Sequence, residues 1–151
     1  MNKFKLSSLL NSFFIEDIGE QDITTDLLFT DGTQGEIVFI AKETGIFCGE
    51  DIIKTGFSLF DSDIKTEVLI KEGEPIEVGQ RLATASGKIA DLLKGERVIL
   101  NLVQRMSGIA TLTDKAVKTL NSAHTKICDT RKTTPGLRML EKFAVRARRR
   151  F

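Results

Sequence analysis

The sequence predicts an α+β chain: an antiparallel sheet covered by helices, followed by the opening of a β/α unit. Three observations carry that expectation. An amphipathic helical stripe comes first, residues 34–87 switch to strand-like alternation, and the stretch after them runs helix, strand, basic loop, helix.

Leu6, Leu9, Leu10, Phe13 and Phe14 fall at the i, i+3, i+4, i+7, i+8 spacing of a helix with one apolar face. The stripe fades into "EDIGEQDITTDLL", where Gly19 and the acidic and threonine residues read as a capped exit and a loop. "GEIVFIAKETGIFCG" is β-branched and aromatic, broken at Glu43–Gly45 in the manner of a hairpin. "EDIIKTGFSLF" reads as a short helix with Ile52, Ile53, Phe57 and Leu59 as its apolar positions. Strands return in residues 63–88, with turns at Glu72–Pro75 and at Gly79. Ile99, Leu102, Val103 and Met106 then form a helical stripe that Gly108 is expected to break or bend. It continues through Leu112, Ala116 and Leu120. "TKICDT", residues 125–130, reads as a short buried strand, "RKTTPG" as a loop, and Pro135 as the start of a helix carrying Leu137, Leu140 and Ala144. A lone strand of this kind buries neither face, so residues 125–151 are expected to be marginal in isolation.

The chain has 151 residues, 41% hydrophobic and 28% charged, with a formal net charge of +1. That balance suits a soluble globular chain and excludes a global field drawing it to nucleic acid or membrane. Apolar runs are too short to span a bilayer. Cys48 and Cys128 have no metal-ligand spacing and are both expected to be buried. With no secretory leader evident, a cytoplasmic location is expected.

"DTRKTTPG", residues 129–136, is the densest cluster of chemistry. Arg131 offers a bidentate fork, Lys132 a point charge, and Thr130, Thr133 and Thr134 further donors, in a loop leaving the carboxyl end of the expected strand. It reads as an anion site or, on spacing alone, as an ordinary solvated basic loop. Arg105 sits about 120° from the centre of its helix's apolar stripe. It either reaches a neighbouring site or snorkels at the surface. His124 has nothing nearby to orient it and reads as a surface residue. Asp17, Asp22 and Asp26 read as caps and loop charges, and no metal is assigned to them. "GEPIEVGQRL" carries a faint likeness to a lipoyl- or biotin-carrier hairpin but lacks the setting of a modifiable lysine.

"EDIGEQDITTDLL", "GIFCGEDI", "KEGEPIEVGQRLATASGKIADLLKGERVILNLVQRMSGIAT" and "DTRKTTPGLRMLEKFAVR" together resemble quinolinate phosphoribosyltransferase, also called nicotinate-nucleotide pyrophosphorylase (carboxylating). The resemblance runs from about Leu6 to Arg146. It implies an N-terminal α/β sandwich over residues 1–110 and the start of an incomplete α/β barrel over residues 111–151. It also implies a homodimer or higher homo-oligomer, and a reaction in NAD synthesis. Quinolinate and phosphoribosyl pyrophosphate, with Mg²⁺, give nicotinate mononucleotide, pyrophosphate and CO₂. By motif, Arg105 resembles the arginine that one subunit lends to its partner's site. Thr130, Arg131 and Lys132 resemble the loop that helps bind the substrate's carboxylates.

Beyond "EKFAVRA" the family pattern continues with glycines and then Asn-His-Arg, whereas this chain reads Arg148, Arg149, Arg150, Phe151. A frameshift through glycine codons, with an early stop, is one expected origin of that tail. On this reading the chain lacks the residues serving ribose and Mg²⁺ and is inactive alone. Two further readings stay open: a non-catalytic module pairing with full-length subunits, and a polyanion-binding domain using the arginine tail.

Overall fold

The computed structural model describes residues 1–20, 23–29 and 32–147; Asp22, the Asp26 side chain, Arg148, Arg149, Arg150 and Phe151 lie outside the described residues. Ten elements follow in order: α1 (Lys3–Ile18), α2 (Ile23–Leu28), β1 (Gln34–Ile40), β2 (Gly45–Ile46), α3 (Glu50–Ser58), β3 (Lys65–Val68), β4 (Pro75–Ile76), β5 (Arg81–Lys88), α4 (Ile89–Leu120) and α5 (Arg138–Ala147). The architecture is α+β, with helices packed on an antiparallel sheet and no closed barrel among the described residues.

Asn2 starts α1 by accepting a hydrogen bond from the Lys5 N–H at 3.0 Å, and Gly19 ends it with φ at 61°. The expected stripe turns inward: Leu6, Leu10 and Phe14 are buried, and Phe14 meets Phe60 edge-on at 4.7 Å. Where a loop is expected after Gly19, the six-residue α2 forms and packs on α4, with Thr25 buried.

Strand β5 is the centre of a three-stranded antiparallel sheet, ordered β1-β5-β3. Its small residues Ala83 and Ala85 are buried, which lets the helices lie close on that face. The hairpin expected at Glu43–Gly45 does not form. β1 pairs with β5 in one sheet, whereas β2 pairs with β4 in another, so the break at Glu43–Gly45 is a crossing between sheets. The expected turns before β4 and at Gly79 are present, with Gly73 and Gly79 both at φ 82°.

Helix α4 contacts α1, α2, α3, α5 and strands β1, β2 and β5. Gly108 neither breaks nor bends it into two helices, because that position faces open space and the 32-residue helix runs on. Ile99, Leu102, Val103 and Met106 are buried as expected. Beyond Ala110 the same face continues through Thr113 and Asp114, so Leu112, Ala116 and Leu120 lie off it and are exposed. Asn121 closes the helix in the left-handed conformation, donating its N–H to Val117 at 3.2 Å.

Segment 46–49 lies against α4 without an intervening strand. The Ile46 N–H donates to Thr111 Oγ1 at 2.9 Å, and the Cys48 N–H donates to Ser107 Oγ at 3.0 Å. Both hydroxyls pass their own protons to carbonyls, Thr111 to Ser107 at 2.7 Å and Ser107 to Cys48 at 3.2 Å. A Cβ added at Gly49 would sit 2.7 Å from Val103 Cγ2, and one at Gly56 2.7 Å from Ile99 Cδ1. The Glu72 carboxylate caps α3, taking the Gly49 N–H at 2.9 Å and the Glu50 N–H at 3.0 Å.

Residues 125–130 do not form a strand and, Ile127 and Asp129 apart, are exposed. No neighbouring strand among the described residues pairs with them, and a β-ladder needs one. Cys128 is accordingly exposed, against expectation, while Cys48 is fully buried. After a turn at residues 135–137, α5 docks on α4 with Leu140 and Ala144 buried. No helix among the described residues is long and apolar enough to cross a membrane.

Two outcomes test this packing. Gly49→Ala should cost about 2 kcal/mol, because Val103 is held in the core and cannot yield. Gly108→Ala should stabilise by about 0.5–1 kcal/mol, since its Cβ meets nothing and glycine weakens a helix interior. Urea midpoints of the two variants should therefore move in opposite directions.

Glu72 supplies a pH test. Burial pushes its carboxyl up, against the opposing hydrogen bonds from Cys48, Glu50 and Gly49. A raised folded-state value means that its contribution is fully present below the unfolded value of about 4.5 and is lost as pH rises through the folded one. Wild type should thus lose ground to Glu72→Gln as pH climbs from 4 towards neutrality, read as the difference between their urea midpoints.

Candidate functional site

The basic loop and Arg105 come together where α5 leans on α4. Arg105 projects from α4 between buried Val103 and Met106, so its root is fixed by the core while its side chain is 45% exposed. Its Nη2 donates to Thr134 Oγ1 at 2.6 Å and its Nε to Glu141 Oε1 at 3.0 Å; Nη2 also donates to the same carboxylate oxygen. The other oxygen, Glu141 Oε2, accepts the Thr134 N–H at 3.1 Å. One carboxylate thus ties the helix, the loop and the arginine together.

Burial alone would raise the Glu141 carboxyl. Hydrogen bonds from Arg105, from the Thr134 hydroxyl and from the Thr134 N–H outweigh it and hold the group below the ordinary glutamate range. Glu141 is therefore an anion throughout the neutral range.

Beside this network lies a depression of about 480 Å³ lined by Arg105, Thr130, Lys132, Thr133, Thr134 and Glu141, among others. Of the expected site residues, Arg105, Thr130 and Lys132 share it within one chain, whereas the resemblance implied an Arg105 reaching into a partner's site. Arg131 does not line it: the residue is exposed, and its carbonyl accepts from Arg138 Nη2 at 3.2 Å. Thr130 Oγ1 accepts the Lys132 N–H at 2.9 Å, which holds the tip of the loop in a tight turn. Arg138 Nε donates to Thr133 Oγ1 at 3.1 Å. Lys142 pairs with Asp129 at 2.8 Å, and Arg146 approaches the same carboxylate at 3.8 Å.

Glu141 is the residue that sequence reasoning missed. Its only local signal is an acidic side chain in the first turn of a helix, which ordinarily reads as a charge on the helix dipole. His124 is exposed, as expected. Among the described residues no group of three or more His, Cys, Asp or Glu side chains converges as a metal site, and no step is assigned to a metal.

Chemically, the depression presents Arg105, Lys132, Lys142 and threonine hydroxyls together with the carboxylates of Asp129 and Glu141, so an incoming anion meets donors that internal carboxylates already share.

Comparisons with known proteins agree in direction. The family model described as Quinolinate phosphoribosyl transferase, N-terminal domain, matches residues 22–107. The corresponding C-terminal domain model matches residues 109–148. A Bacillus subtilis (strain 168) protein named "Probable nicotinate-nucleotide pyrophosphorylase (carboxylating)" is 53% identical over 97% of this chain and 50% of its own length. The structure of NadC from Streptococcus pyogenes superposes with a TM-score of 0.92 at 34% identity, over 97% of this chain and 53% of that one. The nicotinate-nucleotide pyrophosphorylase from Francisella tularensis gives 0.90 at 32% identity, over 98% and 53%. The chain spans about half the length of the curated relatives it matches. On a family model that covers more than half its residues, and on relatives matched along nearly all of it, this chain belongs to the quinolinate phosphoribosyltransferase family.

Proposed function

We propose that this chain supplies the substrate-gripping part of a reaction that transfers a phosphoribosyl group from phosphoribosyl pyrophosphate to quinolinate with loss of CO₂. The supporting observation is the grouping of Arg105, Thr130 and Lys132 around one depression. Quinolinate carries two adjacent carboxylates, so fixed cations and hydroxyls can orient its ring nitrogen towards the ribose carbon. The nitrogen forms the new bond to that carbon as pyrophosphate leaves. The C2–carboxylate bond then breaks, its electron pair stays on C2 as an ylide stabilised by the adjacent positively charged ring nitrogen, and a proton takes that carbon. The cations of this chain orient and neutralise; the charge that stabilises the ylide belongs to the ring.

Mg²⁺ would enter with phosphoribosyl pyrophosphate. The described residues offer it no cluster of ligands, and no step is derived through it. We further propose that these 151 residues bind quinolinate without appreciable turnover and belong to a cytoplasmic protein that acts as a homodimer or higher oligomer. A second reading, a non-catalytic module that pairs with full-length subunits, draws support from the apolar side chains Leu112, Val117 and Leu120 on the far half of α4. Co-purification with an intact family member, abolished by Leu112→Glu, would favour it.

Calorimetric titration of the chain with quinolinate tests the leading reading. Arg105→Ala and Lys132→Ala should each weaken binding by about tenfold or more, the scale of a lost charge-assisted contact. Measured phosphoribosyl transfer by the chain alone would refute the absence of turnover. Binding indifferent to both substitutions would refute the site.

A further inference from the structure

The guanidinium of Arg105 commits its donors inside the chain. Nε and Nη2 both donate to Glu141 Oε1, and Nη2 also donates to Thr134 Oγ1 at 2.6 Å. Glu141 Oε2 in turn accepts the Thr134 N–H at 3.1 Å. Thr134 is therefore held twice, through its backbone and through its hydroxyl, by side chains of α5 and α4 that lie 36 positions apart. The carboxylate is only 13% exposed, and the arginine's root stands between buried Val103 and Met106, so both partners are fixed by the core rather than by the loop.

Two anchors bracket the basic loop. At its start Asp129 pairs with Lys142 at 2.8 Å, and at its end Thr134 is tied to the Arg105–Glu141 pair. Thr130 and Lys132, which line the depression, stand between them. Arg138 also reaches Thr133 and the Arg131 carbonyl, but it is an exposed side chain and gives a looser hold. We infer that Arg105 and Glu141 are positioning residues: together they latch the end of the loop and set where Thr130 and Lys132 stand for an arriving anion, without touching it themselves. This rests on the reading that the loop meets quinolinate, and Arg105 serves that reading through Thr134. A guanidinium that already satisfies a carboxylate and a hydroxyl has little attraction left for a ligand, whereas a loop bracketed at both ends loses less freedom when a ligand binds it.

The experiment compares the 151-residue chain with Arg105→Ala, Glu141→Ala and the double variant. The first readout needs no ligand: hydrogen exchange of the Thr134 N–H, followed by NMR. It should quicken about tenfold or more in Arg105→Ala, even though its acceptor, Glu141 Oε2, is still present. The Cys48 N–H, held by Ser107 Oγ at 3.0 Å, is the reference for global opening and should not change. The second readout is calorimetric titration with quinolinate. Each single variant should bind about tenfold more weakly, and the double no more weakly than the worse single, because the two side chains act as one latch. Losses that multiply to about a hundredfold in the double variant place Arg105 on the ligand and overturn the proposal. Unchanged Thr134 exchange, with quinolinate bound, overturns the latch alone. Faster exchange with unaltered quinolinate binding in both single variants overturns the positioning role and leaves a structural ion pair. No quinolinate binding by the wild-type chain removes the proposed function and this role with it. If Arg105→Ala fails to fold by circular dichroism, Glu141→Gln, which keeps an acceptor for Thr134 and drops the charge, should move both readouts in the same direction by less.

Discussion

Segment 46–49 can lie directly on α4 only because both sides of the contact are built for it. Glycines at 49 and 56 let Val103 and Ile99 come within touching distance of the backbone, where any Cβ would collide. Ser107 and Thr111, one turn apart, give the segment the hydrogen bonds that a neighbouring strand would otherwise supply. Its other side is satisfied by the turn before β4, through Phe47 N–H to Glu74 at 2.9 Å and Gly73 N–H to Phe47 at 2.8 Å. A buried strip of backbone is thus hydrogen-bonded on both sides, by a helix and by a turn. The fixed position of α4 that results carries through to α1, α2, the sheet and α5, all of which pack on it.

That position matters because α4 has two jobs along its length. At 1.5 Å per residue its 32 residues reach about 48 Å, more than the sheet needs. Both halves contribute to the core. The second half also holds segment 46–49 through Ser107 and Thr111 and provides the wall on which α5 rests. Arg105 stands where one becomes the other, flanked by residues that cannot move. Its Cα is set by the core and its guanidinium by α5, so a change in how α5 docks is felt at the arginine before anything else.

The elements that could be read from sequence are those whose signal is local and periodic. Leu6, Leu10 and Phe14, or Ile99, Leu102, Val103 and Met106, announce a buried helical face because their spacing repeats every turn. The signals that failed depend on partners elsewhere in the chain. "TKICDT" has the composition of a strand, but composition does not provide a neighbour to pair with, and Cys128 stays exposed in consequence. The break at Glu43–Gly45 has the look of a hairpin, while only the register of β1 on β5 shows that the two flanking strands belong to different sheets. Gly108 looks like a helix breaker, yet one glycine on the open face of a long helix whose other face is packed costs too little to end it. Arg105, Thr130, Arg131 and Lys132 could be nominated from residue type and motif. Glu141 could not, since no periodicity links residues 36 apart on two helices.

The loop at residues 129–134 is also less cationic than its letters suggest. Asp129 takes Lys142 and draws in Arg146, Glu141 takes Arg105, and Arg138 turns back to Thr133 and the Arg131 carbonyl. Among the described residues, Arg131, Lys132 and Arg138 are the cations of this cluster with no ion pair, and Lys132 lines the depression. With a net charge of +1 there is no long-range field to gather anions. On the proposed reading, anion binding here would be a short-range exchange, in which the ligand takes over donors that internal groups now hold. Such an exchange rewards ligands that replace several contacts at once, because each internal bond given up has to be matched by one regained.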